Sequence, residues 1–335
     1  MNILIFVLAL VFVIGLCVGS FLNVVILRSL SNESIVFPPS KCPKCGERLK
    51  WWHNIPVLSY ILLRGKCAYC KEHISIQYPI VELLTAIIFT FIFIGFGVSF
   101  DTLFIWTISA LLIVLAGTDI KEKFVFDAHA YTLIGTAIVY SIYIMAVSIY
   151  QLHQAAPDFH LPKEMFIYNP ITNAIIGAVV GAVVMEICAR IGYLIAGTRA
   201  FGEGDTFIAA GLGALFGWYQ FFFVLALSIL IQVLIFLPIF IKNLFVNKEW
   251  KTLISFSIFV IFAATFYLLQ TFNVIGQGFL YITGAVILTL IGILVCILIF
   301  KGLREHPENR TYLPFGPAMV VASFIMIFLQ MFLVG

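Results

Sequence analysis

The segment Phe221–Ile241 contains no Asp, Glu, Lys or Arg. A helix needs ~20 apolar residues in succession to cross the hydrocarbon of a bilayer. Runs of this kind recur along the chain, and they restrict its fold more than any other feature. A transmembrane barrel would instead show segments of about ten residues with alternating polarity. Of the 335 residues, 62% are hydrophobic and 10% charged. Ordinary soluble domains carry roughly 25% charged residues. A soluble globule, a disordered chain, a collagen-like repeat and a coiled coil are therefore excluded. The expectation is a polytopic bundle of membrane helices, and the length allows about ten of them.

The apolar runs predict crossings near 4–27, 78–99, 102–118, 127–150, 171–197, 206–219, 220–241, 252–271, 276–300 and 314–334. The sixth is short, and its boundary with the seventh falls near Tyr219-Gln220. The first run lacks the basic start and small-residue cleavage site of a signal peptide, so it reads as a retained crossing. Orientation follows from the basic residues, which collect on the cytoplasmic side. With these crossings, 18 of the 19 Lys and Arg residues fall on one face and Lys163 alone falls on the other. The N-terminus is then outside and the polar stretch 28–77 is cytoplasmic. A net charge of +3 without a basic stripe gives no nucleic-acid footprint. Lipid is the expected surrounding.

The polar stretch reads Cys42-Pro-Lys-Cys45-Gly and, 21 residues on, Cys67-Ala-Tyr-Cys70. Each Cys-x-x-Cys knuckle turns two thiolates toward one point, and two knuckles complete a tetrahedral zinc site. Four thiolates leave no open position, so the metal is expected to be structural. Disulfides would be the alternative, but the cytoplasmic side is reducing. The fold class expected is an all-α polytopic membrane protein of about 8–10 transmembrane helices with a cytoplasmic zinc-knuckle loop after the first helix. Cys17, Cys188 and Cys296 sit in apolar runs and read as buried small hydrophobes.

Ionisable groups at the bilayer are costly and mark function. Asp101 reads as a solvated residue in an external turn, and Glu186 reads as the partner of Arg190 one helical turn on. Asp119 and Asp205 are different. Asp119 ends the third crossing in Ala-Gly-Thr-Asp119-Ile-Lys, and Asp205 opens the sixth in Gly202-Glu-Gly204-Asp205. The topology puts both on the cytoplasmic face. Two carboxylates that meet can share one proton, one accepting from water while the other donates to a carbonyl oxygen. Gly202 and Gly204 would admit a substrate strand close to the backbone. Asp205 also suits a helix N-cap, a role compatible with the first.

Taken together, these motifs resemble those of the bacterial type IV prepilin peptidases, a Gly-x-Gly-Asp intramembrane aspartyl protease family. The resembling segments are Gly19-Ser-Phe-Leu-Asn23 through Arg28, Pro38-Pro-Ser-Lys-Cys42 with its knuckle, Asn54-Ile-Pro-Val-Leu-Ser59, Leu63-Arg-Gly65-Lys-Cys67 and Ile74 through Glu82. Asp119 followed by Asp127 resembles the first catalytic segment, Gly202 through Asp205 the second, and Pro314-Phe-Gly-Pro317 the last crossing. The resemblance implies cleavage of the leader of prepilins or pseudopilins at the cytoplasmic face of the bacterial inner membrane. It further implies methylation of the new N-terminus with S-adenosylmethionine. Asp119 and Asp205 carry over as the catalytic pair, with Gly202, Gly204 and Asp127 in support. Asn23, Arg28, Gly65 and Glu82 carry over as candidates for methyl transfer, although Glu82 also suits the positive end of a helix dipole. Phe207 stands where the family commonly has lysine.

The domains expected are a first helix (1–27), the zinc-binding, methyltransferase-associated loop (28–77), a peptidase core (78–244), an extra hairpin (245–300), and a last loop and helix (301–335). A peptidase that does not methylate is the first alternative. A proton-coupled transporter is the remote one, since it needs acids distributed through the bilayer and paired repeats.

Overall fold

The computed structural model describes residues 2–31, 33–123, 125–155, 169–196, 202–246 and 314–334, with scattered positions between 250 and 291. Its helices are α1 (Asn2–Ser31), α2 (Leu58–Leu62), α3 (Gln77–Phe96), α4 (Phe100–Glu122), α5 (Asp127–Ala155), α6 (Pro170–Ala196), α7 (Glu203–Val246) and α8 (Gly316–Val334), with a 3-10 turn at Trp51–Asn54. No strand occurs among the described residues, only two isolated bridges. The protein is an all-α polytopic membrane protein. Among the described residues six helices, α1 and α3 to α7, are long and apolar enough to cross a bilayer, and α8 adds a shorter apolar helix. The expected crossings at 252–271 and 276–300, the hairpin at 245–300 and the loop that follows it lie almost wholly outside the described residues.

Two compact units divide the chain. The first comprises Met1–Ile187, Phe201–Ile229 and Pro314–Gly335; the second comprises Cys188–Ala200 and Leu230–Leu313. All sequence-derived site residues belong to the first. In lipid the hydrophobic effect does not drive helices together, so close van der Waals approach through small residues does much of the work. The first unit uses this repeatedly. A Cβ on Gly15 would lie 2.5 Å from Ala86 Cα, and one on Gly19 would lie 2.7 Å from Glu82 Cα. The small-x-x-x-small pair Gly15/Gly19 thus lets α1 lie directly on α3. Gly177 and Gly181 of α6 do the same against the backbone oxygens of Gly213 and Ala209 in α7. On its other side α7 receives Leu133 of α5 against Gly211. The first half of α7 is held by close backbone approach on one flank and by a leucine side chain on the other.

Two expectations need correction. Cys17 is exposed on α1 rather than buried; in a bilayer an apolar run has a lipid-facing side, so apolar does not mean interior. Asp101 lies in the first turn of α4 and accepts a 3.0 Å hydrogen bond from Tyr140 Oη, so it ties α4 to α5 instead of standing in solvent. The sixth and seventh crossings are two helical segments within α7 that meet at Gly217 (φ 77°, ψ 167°), just before the expected boundary near Tyr219-Gln220. That backbone conformation is open to glycine. A Cβ there would also meet the Asn173 side chain.

Candidate functional site

Asp119 lies in the last turn of α4. The helix stops three residues later, because Lys123 adopts a left-handed conformation (φ 53°) and its amide returns to the Asp119 carbonyl at 2.9 Å. The chain then passes Val125 and enters α5. Helices α5 and α6 form an even pair, so α7 begins on the side where α4 ended. Asp205 sits in the first turn of α7, as its third residue rather than its N-cap. Its Oδ2 accepts the Gly202 amide at 3.0 Å, the reciprocal half of a capping box. Gly204 is required by space: a Cβ would lie 2.4 Å from Val125 Cβ. The link leaving α4 is thereby pressed against the entry of α7.

This junction brings the two carboxylates together. Asp119 is 5% exposed and Asp205 7% exposed, and each charge bears on the other. A third element completes the corner. The amide of Gly316, at the start of α8, donates to Asp119 Oδ2 at 3.1 Å and also bears on Asp205. Two buried carboxylates with two backbone N–H donors can hold one shared proton and exchange it with a reacting group. Asp127 is not part of this corner, since it lies exposed in the first turn of α5. Phe207 packs edge-on against Tyr131 of α5, with centroids 5.3 Å apart.

The four cysteines meet as well. The Sγ atoms of Cys42, Cys45, Cys67 and Cys70 lie within 4.8 Å of one another, with Cys42 to Cys70 at 3.9 Å. A tetrahedron with Zn–S bonds of 2.3 Å has sulfur–sulfur edges of about 3.8 Å. The donor set and its spacing therefore fit a thiophilic cation. The two knuckles repeat one design. Cys42 N donates to Glu47 O and Gly46 N to Cys42 O; Cys67 N donates to Glu72 O and Lys71 N to Cys67 O. The closing residue has positive φ in both, Gly46 in one and Lys71 in the other. The amides of Cys70 and Tyr69 lower the Cys67 pKa to about 7. Cys70 accepts from the Glu72 amide, yet burial and the neighbouring thiols raise it to about 11. Four sulfurs this close resist collective ionisation, and a cation removes that conflict.

The remaining candidates hold this loop to the bundle. Arg28 donates to the carbonyls of Ser34, Ile35 and Pro38, gripping the entry to the first knuckle. Gly65 (φ 67°) closes α2, its amide on Tyr60 O and its carbonyl under the Ile74 amide. Glu82, buried in α3, accepts the Val57 amide at 2.7 Å. Val57 is the centre of a strained γ-turn with φ 59°, costly for a β-branched residue. Asn23 is 1% exposed, and its Nδ2 donates to Tyr78 O at 3.1 Å. Its Oδ1 is buried with no protein partner.

Sequence reasoning did not foresee the placement of Gly316, the Glu82–Val57 clamp or the glycine contacts of α1 and α6. The last had a legible signal, glycines four apart within an apolar helix. For the first two the residues stood in recognised motifs but their partners left no signal, because each depends on which distant backbone group comes near.

Comparison with known proteins gives a consistent result. Residues 13–96 match the family model described as Bacterial Peptidase A24 N-terminal domain. A prepilin leader peptidase/N-methyltransferase of Myxococcus xanthus is 35% identical over 207 residues, covering 62% of this chain and 55% of the relative. The protein of that name from Neisseria gonorrhoeae is 32% identical over 229 residues, covering 61% of this chain and 72% of the relative. The one from Xanthomonas campestris is 36% identical over 152 residues, 38% of this chain and 53% of the relative. The chain thus spans from about half to nearly three quarters of the length of these relatives. No solved structure matches.

Proposed function

Because this chain belongs to the prepilin leader peptidase/N-methyltransferase family, we propose that it is an intramembrane aspartic endopeptidase. It removes the leader from prepilins or pseudopilins and then N-methylates the exposed terminus. The observation that carries this reading is the burial of Asp119 and Asp205 side by side where the end of α4 meets the entry of α7. One carboxylate takes a proton from water as its oxygen attacks the scissile carbonyl carbon. The other, protonated, gives its proton to the carbonyl oxygen. When the carbon–nitrogen bond breaks, the leaving amine takes a proton from the first carboxyl while the second takes one back from a hydroxyl of the collapsing diol, and the pair again carries one proton. The Gly202 amide holds the Asp205 carboxylate, and Gly204 lets the start of α7 lie against Val125 beside the pair.

Zinc is the cation of the four-thiolate site, and its role is to fix the loop's fold. S-adenosylmethionine supplies the methyl group when bound. Arg28, Gly65 and Glu82 already spend their polar groups on the loop's own backbone. They support the methyl-transfer region by holding it in place. Of these four candidates, Asn23 has a buried side-chain oxygen without a protein partner. The same commitment favours a second reading, a peptidase that cuts without methylating. The clustering of basic residues supports an orientation with the N-terminus outside and the loop and aspartates on the cytoplasmic side of a bacterial inner membrane. Within it, 28–77 forms the methyltransferase-associated loop and 78–244 the peptidase core.

The test is a reconstituted reaction on a prepilin, followed by intact-mass spectrometry with and without S-adenosylmethionine. Loss of the leader, plus one methyl group only when the cofactor is present, supports both activities. Leader loss alone supports the second reading. Full cleavage by Asp119→Asn or Asp205→Asn would remove the aspartic mechanism.

A further inference from the structure

The start of α8 is the least expected component of the carboxylate corner. Gly316 is the first residue of that helix, where backbone N–H groups lack an intrahelical acceptor. Pro317 follows and carries no N–H, so of the first two helical positions only Gly316 offers a donor. That donor is spent on Asp119 Oδ2 at 3.1 Å, across 197 residues of sequence, in a buried environment. It also bears on Asp205. Space at this position is as restrictive as the hydrogen bond. A Cβ on Gly316 would lie 2.5 Å from Asp119 Oδ2, 3.2 Å from Asp119 Cγ and 3.1 Å from Ile208 Cδ1. Only glycine lets the amide reach the carboxylate without a side chain displacing it.

From this geometry we infer that Gly316 is a positioning residue for the aspartate pair. Its backbone N–H fixes the orientation of the Asp119 carboxylate toward Asp205, and its missing side chain leaves room for that orientation. The inference rests on the peptidase reading and adds to it a third component, supplied by the helix that closes the bundle. The start of α8 also presents the positive end of its dipole to the pair, which suits two carboxylates sharing one proton and one negative charge. Correct placement of reacting groups is worth a large part of a catalytic barrier, and an error of about 1 Å can cost ~10²-fold.

Two variants separate the donor from the space. Gly316→Ala keeps the N–H but drives a methyl group into Asp119. Gly316→Pro removes the N–H as well, and proline is well suited to the first position of a helix. Both are made in the full chain in lipid nanodiscs, beside Asp119→Asn. Cleavage kinetics, bound metal and thermal midpoint are measured for each. The expected result is a kcat reduced by about 10²-fold or more in Gly316→Ala and further in Gly316→Pro. KM should stay within about threefold, with metal content and midpoint near those of the parent. If Asp119→Asn is inactive while Gly316→Ala cleaves at the parental kcat, the inference fails and the peptidase reading stands. If Asp119→Asn cleaves normally, both fail. Should either glycine variant not fold, protein labelled with ¹⁵N-glycine gives an independent readout. The Gly316 amide must shift in the spectrum of Asp119→Asn, and an unmoved resonance overturns the contact.

Discussion

The cysteine loop and the carboxylate corner solve the same problem, bringing reactive side chains to one point, in opposite ways. All four thiols come from 29 consecutive residues, 42–70. Two copies of one turn aim them, closed by Gly46 and by Lys71. The corner draws on Asp119, Asp205 and Gly316, three helix ends spread through the chain, and joins them by backbone amides and by contacts that only glycine permits. A local site can be completed by a ligand. A site made of helix ends has to be completed by the packing of the whole bundle, so it should be more sensitive to small distant changes.

The largest effect should come from the corner itself. Asp119→Asn or Asp205→Asn is expected to lower cleavage by at least ~10³-fold. Bound metal, measured by plasma mass spectrometry, should be unchanged; loss of metal would show that the two sites are not separate. Next, Cys42→Ser should remove metal and reduce methyl transfer by roughly 10–100-fold while cleavage changes much less, assayed on prepilin and on pre-cleaved pilin. Equal damage to both reactions would erase the contrast. Gly204→Ala should come third. It places a methyl group against Val125, an overpacking strain of ~1–3 kcal/mol that lowers cleavage. Val125→Ala in the same chain should restore much of it, and a cycle of the two variants reads the coupling directly. The smallest effect is expected from Phe207→Lys. It removes an exposed-side ring contact with Tyr131 worth ~0.5–1.5 kcal/mol and leaves kcat within about tenfold. An altered pH profile of cleavage would show that this position acts on the aspartates.

The sequence was informative in proportion to how local each feature is. The apolar runs located α1, α3, α4, α5 and α6, and the Cys-x-x-Cys spacing located the metal-binding cluster. The aspartates could be placed on a common face by counting crossings, because parity needs no side-chain detail. The role of Asp101 was missed because its partner, Tyr140, lies on the neighbouring helix and no spacing rule links the two. Cys17 was misjudged because burial rules formed in water do not separate a lipid-facing position from a core one. That Asn23 holds Tyr78 and Glu82 holds Val57 follows only from how α1, α3 and the loop pack.

The hydrogen bond from Gly316 has a genetic consequence. A backbone donor has no codon of its own. A single-base change that replaces a glycine gives alanine, valine, serine, cysteine, tryptophan, arginine, an acidic residue or a stop, and proline is never among them. Point mutation can therefore crowd Asp119 from this position but cannot delete the N–H that orients it. A mutational scan would record Gly316 as intolerant of bulk, and the donor beneath that intolerance would go unseen unless proline were built in deliberately.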